Sequence, residues 1–218
     1  MVTFRDRRDA GRQLAVALDR YREADVVVLG LPRGGVLVGY EVALGLGAPL
    51  DAIVVRKLGL PEQPELAMGA VGEGGVRVLN PEVVRSSGVS AAEVREVELS
   101  ERAELEERVR RIRAVRPRLD LAGRTALIVD DGIATGATAR AACLVARALG
   151  ADDVVLAVPV GPPSTLADLA RIADDVVWVT APRFFGAVAQ CYRRFPEVSS
   201  DEVLAALTKA MTSSGERA

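Results

Sequence analysis

The 218 residues carry 28 Lys and Arg against 30 Asp and Glu, a formal charge of -2, and 50 % of them are apolar. That length can bury a core needing no disulfide or metal, and without histidine a zinc site or a Ser–His or Cys–His pair is excluded. The mixed charge offers no basic stripe for nucleic acid, and no apolar run is long enough to span a bilayer.

In chain order, DAGRQLAVALDRYREAD (9–25) places Leu14, Leu18 and Tyr21 at helical spacing, with Asp9 as the N-cap. VVVLG (26–30) reads as a buried strand, LPRGG (31–35) as a tight turn, and Gly35 to Leu46 as a helix. DAIVVRK (51–57) reads as a second strand ending in Arg56 and Lys57. ELAMGAVGEGGVRVLN (65–80) reads as a hairpin turning at its glycines. A capping box, Ser90 to Glu93, opens a long helix with Val94, Val97, Leu105, Val109 and Ile112 on one stripe. Its other face pairs Glu98 with Arg102, Glu104 with Arg108 and Glu107 with Arg111.

Three further strands follow, TALIVDD (125–131), DDVVLAVPV (152–160) and DDVVWVT (174–180), with helices over 139–149 and 164–173 between them. Apolar strands alternating with helices predict one α/β domain over 1–218, a parallel sheet with helices on both faces. The segment 58–120 is an insertion of flexible loop, hairpin and long helix, and the tail TSSGERA reads as frayed. The charged N-terminus lacks the apolar stretch of a secretory leader, so a cytoplasmic protein without nucleic-acid or membrane partners is expected.

Asp130 and Asp131 stand at a strand end, where open parallel sheets bind ligands. GIATGAT (132–138) then leads into a helix whose first N–H groups favour an anion. Gly136 and Ala137 leave room for a phosphate at the backbone, and Thr135 and Thr138 add hydroxyls. A Walker loop would place lysine where Ala137 stands, so the turn suits one phosphate rather than a triphosphate. Carboxylates only accept hydrogen bonds, which makes ribose hydroxyls their natural partners. LPRGG repeats the strand–turn–helix plan and offers Arg33 with the backbone of Gly34 and Gly35 to a second anion.

Together these residues resemble a type I phosphoribosyltransferase, in a poorly characterised bacterial branch of that family. The resemblance covers about residues 9 to 195 and rests mainly on Asp130-Asp131 followed by Ala134-Thr135-Gly136 and Thr138. It implies that Asp130 and Asp131 hold the ribose of 5-phosphoribosyl-1-pyrophosphate (PRPP), and that Gly132 and Ala134 to Thr138 hold its 5-phosphate. Arg33, Gly34, Gly35, Arg56 and Lys57 would bind pyrophosphate, Lys57 also acting in catalysis. Magnesium would be carried mainly by the substrate, with no direct protein cage. A mobile loop over 58 to about 90 would close the site, and 180–195 would form a hood over the base, with Phe184, Phe185 and Tyr192 as stacking candidates. Transfer of the phosphoribosyl group to a nitrogenous base by a homodimer is expected. The alternatives are a PRPP- or nucleotide-sensing regulator without turnover and a hydrolase of a nucleotide or of PRPP.

Overall fold

A computed structural model describes residues 4–64 and 66–215. Strands β1 (Val26–Gly30), β2 (Leu50–Ala52), β6 (Thr125–Val129), β7 (Asp153–Val160) and β8 (Asp175–Thr180) form a parallel sheet in the order β2-β1-β6-β7-β8. Successive side chains of a strand face opposite ways, and the two faces are covered by different helices. Val28, Leu127, Val129 and Val155 pack with Leu14 of α1 (Arg7–Ala17), Val36 and Val42 of α2 (Gly34–Leu46) and Leu207 of α7 (Ser200–Gly215). Val27, Leu29, Ile128 and Leu156 pack with Ala142 and Val145 of α5 (Ala137–Ala148) and with Leu166 of α6 (Pro163–Leu169). The expected sheet with helices on both faces is the observed architecture.

DAIVVRK is not one strand. Leu50–Ala52 pairs with β1, the chain turns at Ile53 and Val54, and β3 (Val55–Gly59) enters a second sheet. That sheet is antiparallel, in the order β3-β4-β5, with β4 (Ala67–Gly72) and β5 (Arg77–Leu79) turning at Glu73–Gly75 as the glycines predict. Much of the stretch expected as a closing loop is therefore a folded sheet, followed by α3 (Pro81–Ser87), capped by Asn80. The capping box opens α4 (Ala91–Arg113), and the stripe residues Val94, Leu105 and Ile112 are buried.

An ion network fastens α4 to the main sheet. Asp51, 1 % exposed, accepts from Arg113 at 2.7 Å and from the Leu119 N–H at 3.0 Å, and Arg113 also bonds Glu73. Of the surface pairs expected on α4, Glu98–Arg102 and Glu107–Arg111 form, but Glu104 bonds Arg56 at 2.7 Å instead of Arg108. The first helix begins earlier than expected, with Asp6 rather than Asp9 as its N-cap. The final helix, α7, lies beyond the expected elements, although Ser199 and Glu202 form a capping box at its start. It runs through Gly215, well into the supposed frayed tail, whose last residues, 216–218, lie outside the described residues. Among the described residues no helix is long and apolar enough to cross a membrane.

Candidate functional site at the strand ends

Two strand–turn–helix units place the site. After β1 the chain passes through Leu31, Pro32 and Arg33 into α2, and the Pro32–Arg33 peptide is cis. The Leu31 N–H bonds the Val129 carbonyl at 2.8 Å, which fixes this turn beside the end of β6. The contact leaves no space for side chains. A Cβ on Gly35 would lie 2.9 Å from Asp130 Cα, and one on Gly34 would overlap the Asp131 carboxylate. The LPRGG backbone and the two acids thus form one surface, and no side chain caps the first turn of α2.

After Asp131 the loop turns at Gly132 (φ 155°) and Gly136 (φ 75°), both in backbone regions that favour glycine. Gly136 is the N-cap of α5 and brings no side chain to it; the Ala137 N–H reaches the Thr135 hydroxyl at 3.5 Å. Thr135 and Thr138 lie beside its first turn, both exposed, and Ala134 and Ala137 add little bulk. The loop is braced from outside: the Thr165 hydroxyl donates to the Ala134 carbonyl at 3.0 Å. Gly132 is required by more than its dihedral angle, because a Cβ there would lie 2.5 Å from Val188 of the hood.

The acids differ in their surroundings. Asp131 accepts from Arg7 Nε at 2.7 Å, while Asp130 Oδ1 takes the Asp131 N–H at 2.9 Å. Burial, and then the charge of Asp131, push the Asp130 carboxyl well above the usual carboxylate range. Burial also raises Asp131, opposed by the Arg7 guanidinium. Arg7 is the residue that sequence reasoning missed. It is 8 % exposed, packs 3.7 Å over the Phe195 ring and donates to the Pro196 carbonyl at 2.7 Å. Its signal is legible, since Arg7 continues the buried stripe of Ala10, Gly11 and Leu14.

The hood is built from both ends of the chain. A short 3₁₀ helix, Val188–Cys191, leads to Tyr192, which pairs with Phe4 in an isolated parallel bridge. Tyr192 is 6 % exposed, stacked between Phe4 and Phe195, and its hydroxyl donates to the Asp131 carbonyl at 2.5 Å. It therefore positions the acidic loop and does not offer a face for stacking. Phe185 packs against the same cluster, whereas Phe184 is 89 % exposed.

The cations separate as well. Arg56 is ion-paired with Glu101 and Glu104 of α4, which ties it to the inserted helix rather than to an anion site. Lys57 lies opposite Ala70, on the strand face turned to α5, since cross-strand partners share a face. Arg33 bonds Glu197 at 2.6 Å, just ahead of α7.

A family model, phosphoribosyl transferase domain, matches residues 5–193. The chain belongs to that family. Two relatives from strains of Mycobacterium tuberculosis, each named "Putative phosphoribosyl transferase", are 59 % identical over 210 residues. The match covers 96 % of this chain and 47 % of each relative, so the chain spans about half their length. The crystal structure of TT1426 from Thermus thermophilus is 44 % identical, with a TM-score of 0.90, over 95 % of this chain and 98 % of that one.

Proposed function

We propose that this phosphoribosyl transferase domain moves a 5-phosphoribosyl group from PRPP to a nitrogenous base and releases pyrophosphate. The observation that carries the reading is the contact between the two loops. Glycines 34 and 35 lie against Asp131 and Asp130 with no room for a Cβ, so the LPRGG turn and the turn into α5, each of which we take to receive an anion, flank one acidic pair.

In this reading the open first turn of α5, with Thr135 and Thr138, takes the 5-phosphate. Asp130 and Asp131 accept hydrogen bonds from the ribose hydroxyls and favour positive charge growing at the anomeric carbon. The bond from that carbon to the pyrophosphate oxygen breaks as a bond to the base nitrogen forms on the opposite face. Arg33 and the Gly34 and Gly35 amides stabilise the charge that leaves. The hood keeps water away from the reacting carbon, and exposed Phe184 offers a ring for the base.

Among the described residues no group of three or more His, Cys, Asp and Glu side chains could hold a metal ion. With Asp131 committed to Arg7, the acidic pair suits magnesium ligated mainly by substrate oxygens. Bound there, the ion would neutralise charge on the leaving diphosphate.

The test is pyrophosphate release from PRPP and magnesium across a panel of nucleobases. Release that depends on one base, with formation of its nucleotide, is expected. Release at the same rate without any base would identify a hydrolase instead. Saturable PRPP binding with no release under any condition would identify a sensor.

A further inference from the structure

We propose that the cavity between α4, α7 and the Pro32–Arg33 turn is a further anion site, adjoining the turn assigned above to the leaving diphosphate, and that it takes a diphosphate group with Arg108 as its principal ligand. The cavity measures about 150 Å³ and is lined by Arg33, Arg108, Arg111 and Ser200 over a floor of Ile112 and Val203. That space exceeds several water molecules, at ~30 Å³ each, and it admits a phosphate group.

The charges around it are unevenly matched. Arg33 is paired with Glu197, and Arg111 with Glu107. Arg56, close by, is paired with Glu101 and Glu104. Glu104 stands one turn before Arg108 and would be its natural partner, but its carboxylate is taken by Arg56. Among the described residues Arg108 thus has no hydrogen bond or ion pair, although it is partly buried. Burial and the guanidiniums of Arg56 and Arg33 pull its value below the usual arginine range, against a weaker pull from the Glu104 carboxylate, which Arg56 holds. A cation held beside two others without an acceptor is costly, and a multiply charged anion removes that cost. Planar guanidiniums bind phosphate oxygens in pairs, so three arginines around one cavity suit a diphosphate better than a carboxylate.

The site rests on these charges and not on turnover. Its ligand could be the diphosphate of the transferase substrate reaching past Arg33, or the diphosphate of a separate nucleotide. Inorganic pyrophosphate without divalent metal is the probe, titrated calorimetrically in buffer whose ionic strength is matched with sodium chloride. Wild-type protein should bind it, and Arg108→Gln should weaken binding at least tenfold. Arg110→Gln removes the same charge from the same helix outside the cavity, and it should bind as wild type does. Because Arg108 makes no bond, Arg108→Gln should melt at or above the wild-type temperature. The site is refuted if the wild type shows no heat beyond chloride, if Arg108→Gln binds within twofold of wild type, or if Arg110→Gln weakens binding equally. It is also refuted if Arg108→Gln melts lower, which would make the side chain structural. With the site upheld, competition by PRPP assigns the diphosphate to the substrate, and simultaneous binding assigns it to a separate ligand.

Discussion

Arg7 Nε donates to Asp131 Oδ2 at 2.7 Å and joins residues 124 positions apart, so the first helix holds the acid at the end of β6. Both side chains are largely shielded from water, at 10 % and 16 % exposure. Removing one partner of such a pair leaves an uncompensated charge, at a cost of about 3 kcal/mol. Arg7→Gln should therefore lower Tm by roughly 6–12 °C, at 2–4 °C per kcal/mol for a chain of this size. An unchanged melting temperature would show that the pair is dispensable.

The two acids should respond oppositely to amide replacement. The Asp130 carboxyl lies above its ordinary value because it is buried and faces Asp131. Between pH ~4 and its raised folded value the native chain holds the extra proton, so stability falls as pH rises through that window. Above it, ionised Asp130 costs about 1.4 kcal/mol per pH unit of elevation. Asp130→Asn should flatten this slope and raise Tm at pH 7. Asp131→Asn should lower Tm, because Arg7 loses its partner. Melting curves from pH 4 to pH 8 check both, and a matching fall in the two variants would contradict the assignment.

The fold class is legible because apolar strands such as VVVLG and TALIV alternate with helices, and the acidic strand end is legible from Asp130-Asp131 before GIATGAT. What the sequence conceals depends on long-range contact. DAIVVRK has one continuous apolar pattern, yet Asp51 is held by Arg113 and Leu119, while Arg56 is held by Glu101 and Glu104. Those partners lie far along the chain, and nothing local to DAIVVRK marks the break at Ile53 and Val54 where it passes from one sheet to the other. Tyr192 reads as a stacking ring in the sequence, since nothing local marks Phe4 as its neighbour. Two signals are local and readable: Arg7 on an apolar stripe, and the Ser199–Glu202 capping box that announces α7.

Tyr192→Phe isolates one hydrogen bond. The ring packing on Phe4 and Phe195 is retained, and only the bond to the Asp131 carbonyl is lost. A loss of about 1 kcal/mol is expected, seen as a Tm lower by roughly 2–4 °C. Phosphoribosyl transfer should slow in the same variant, because the acidic loop loses a tether. A variant indistinguishable from wild type in both readouts would remove Tyr192 from the account.

Adjacent glycines should fail in different ways. A Cβ on Gly35 meets backbone, the Val129 carbonyl and Asp130 Cα, which cannot yield cheaply. Gly35→Ala should therefore reduce Tm. A Cβ on Gly34 meets the Asp131 carboxylate and Arg7 Nε, which are side-chain ends that can move. Gly34→Ala should therefore displace the Arg7–Asp131 pair, lower Tm by no more than Arg7→Gln does, and weaken PRPP binding at least tenfold. Calorimetry and thermal melting on both variants separate the effects, and full PRPP affinity in Gly34→Ala would contradict the placement of this loop.

Thermal melting with PRPP and magnesium tests the central claim most directly. The two turns flanking Asp130 and Asp131 suit a ligand with one phosphate at one end and a diphosphate at the other. At a hundredfold excess over its dissociation constant such a ligand adds about 2.7 kcal/mol, a rise of roughly 5–11 °C. ATP with magnesium at the same concentration should raise Tm far less, since the α5 turn lacks the lysine of a triphosphate loop. A plain PRPP-selective rise is the predicted result. No rise with millimolar PRPP, or an equal rise with ATP, would contradict it.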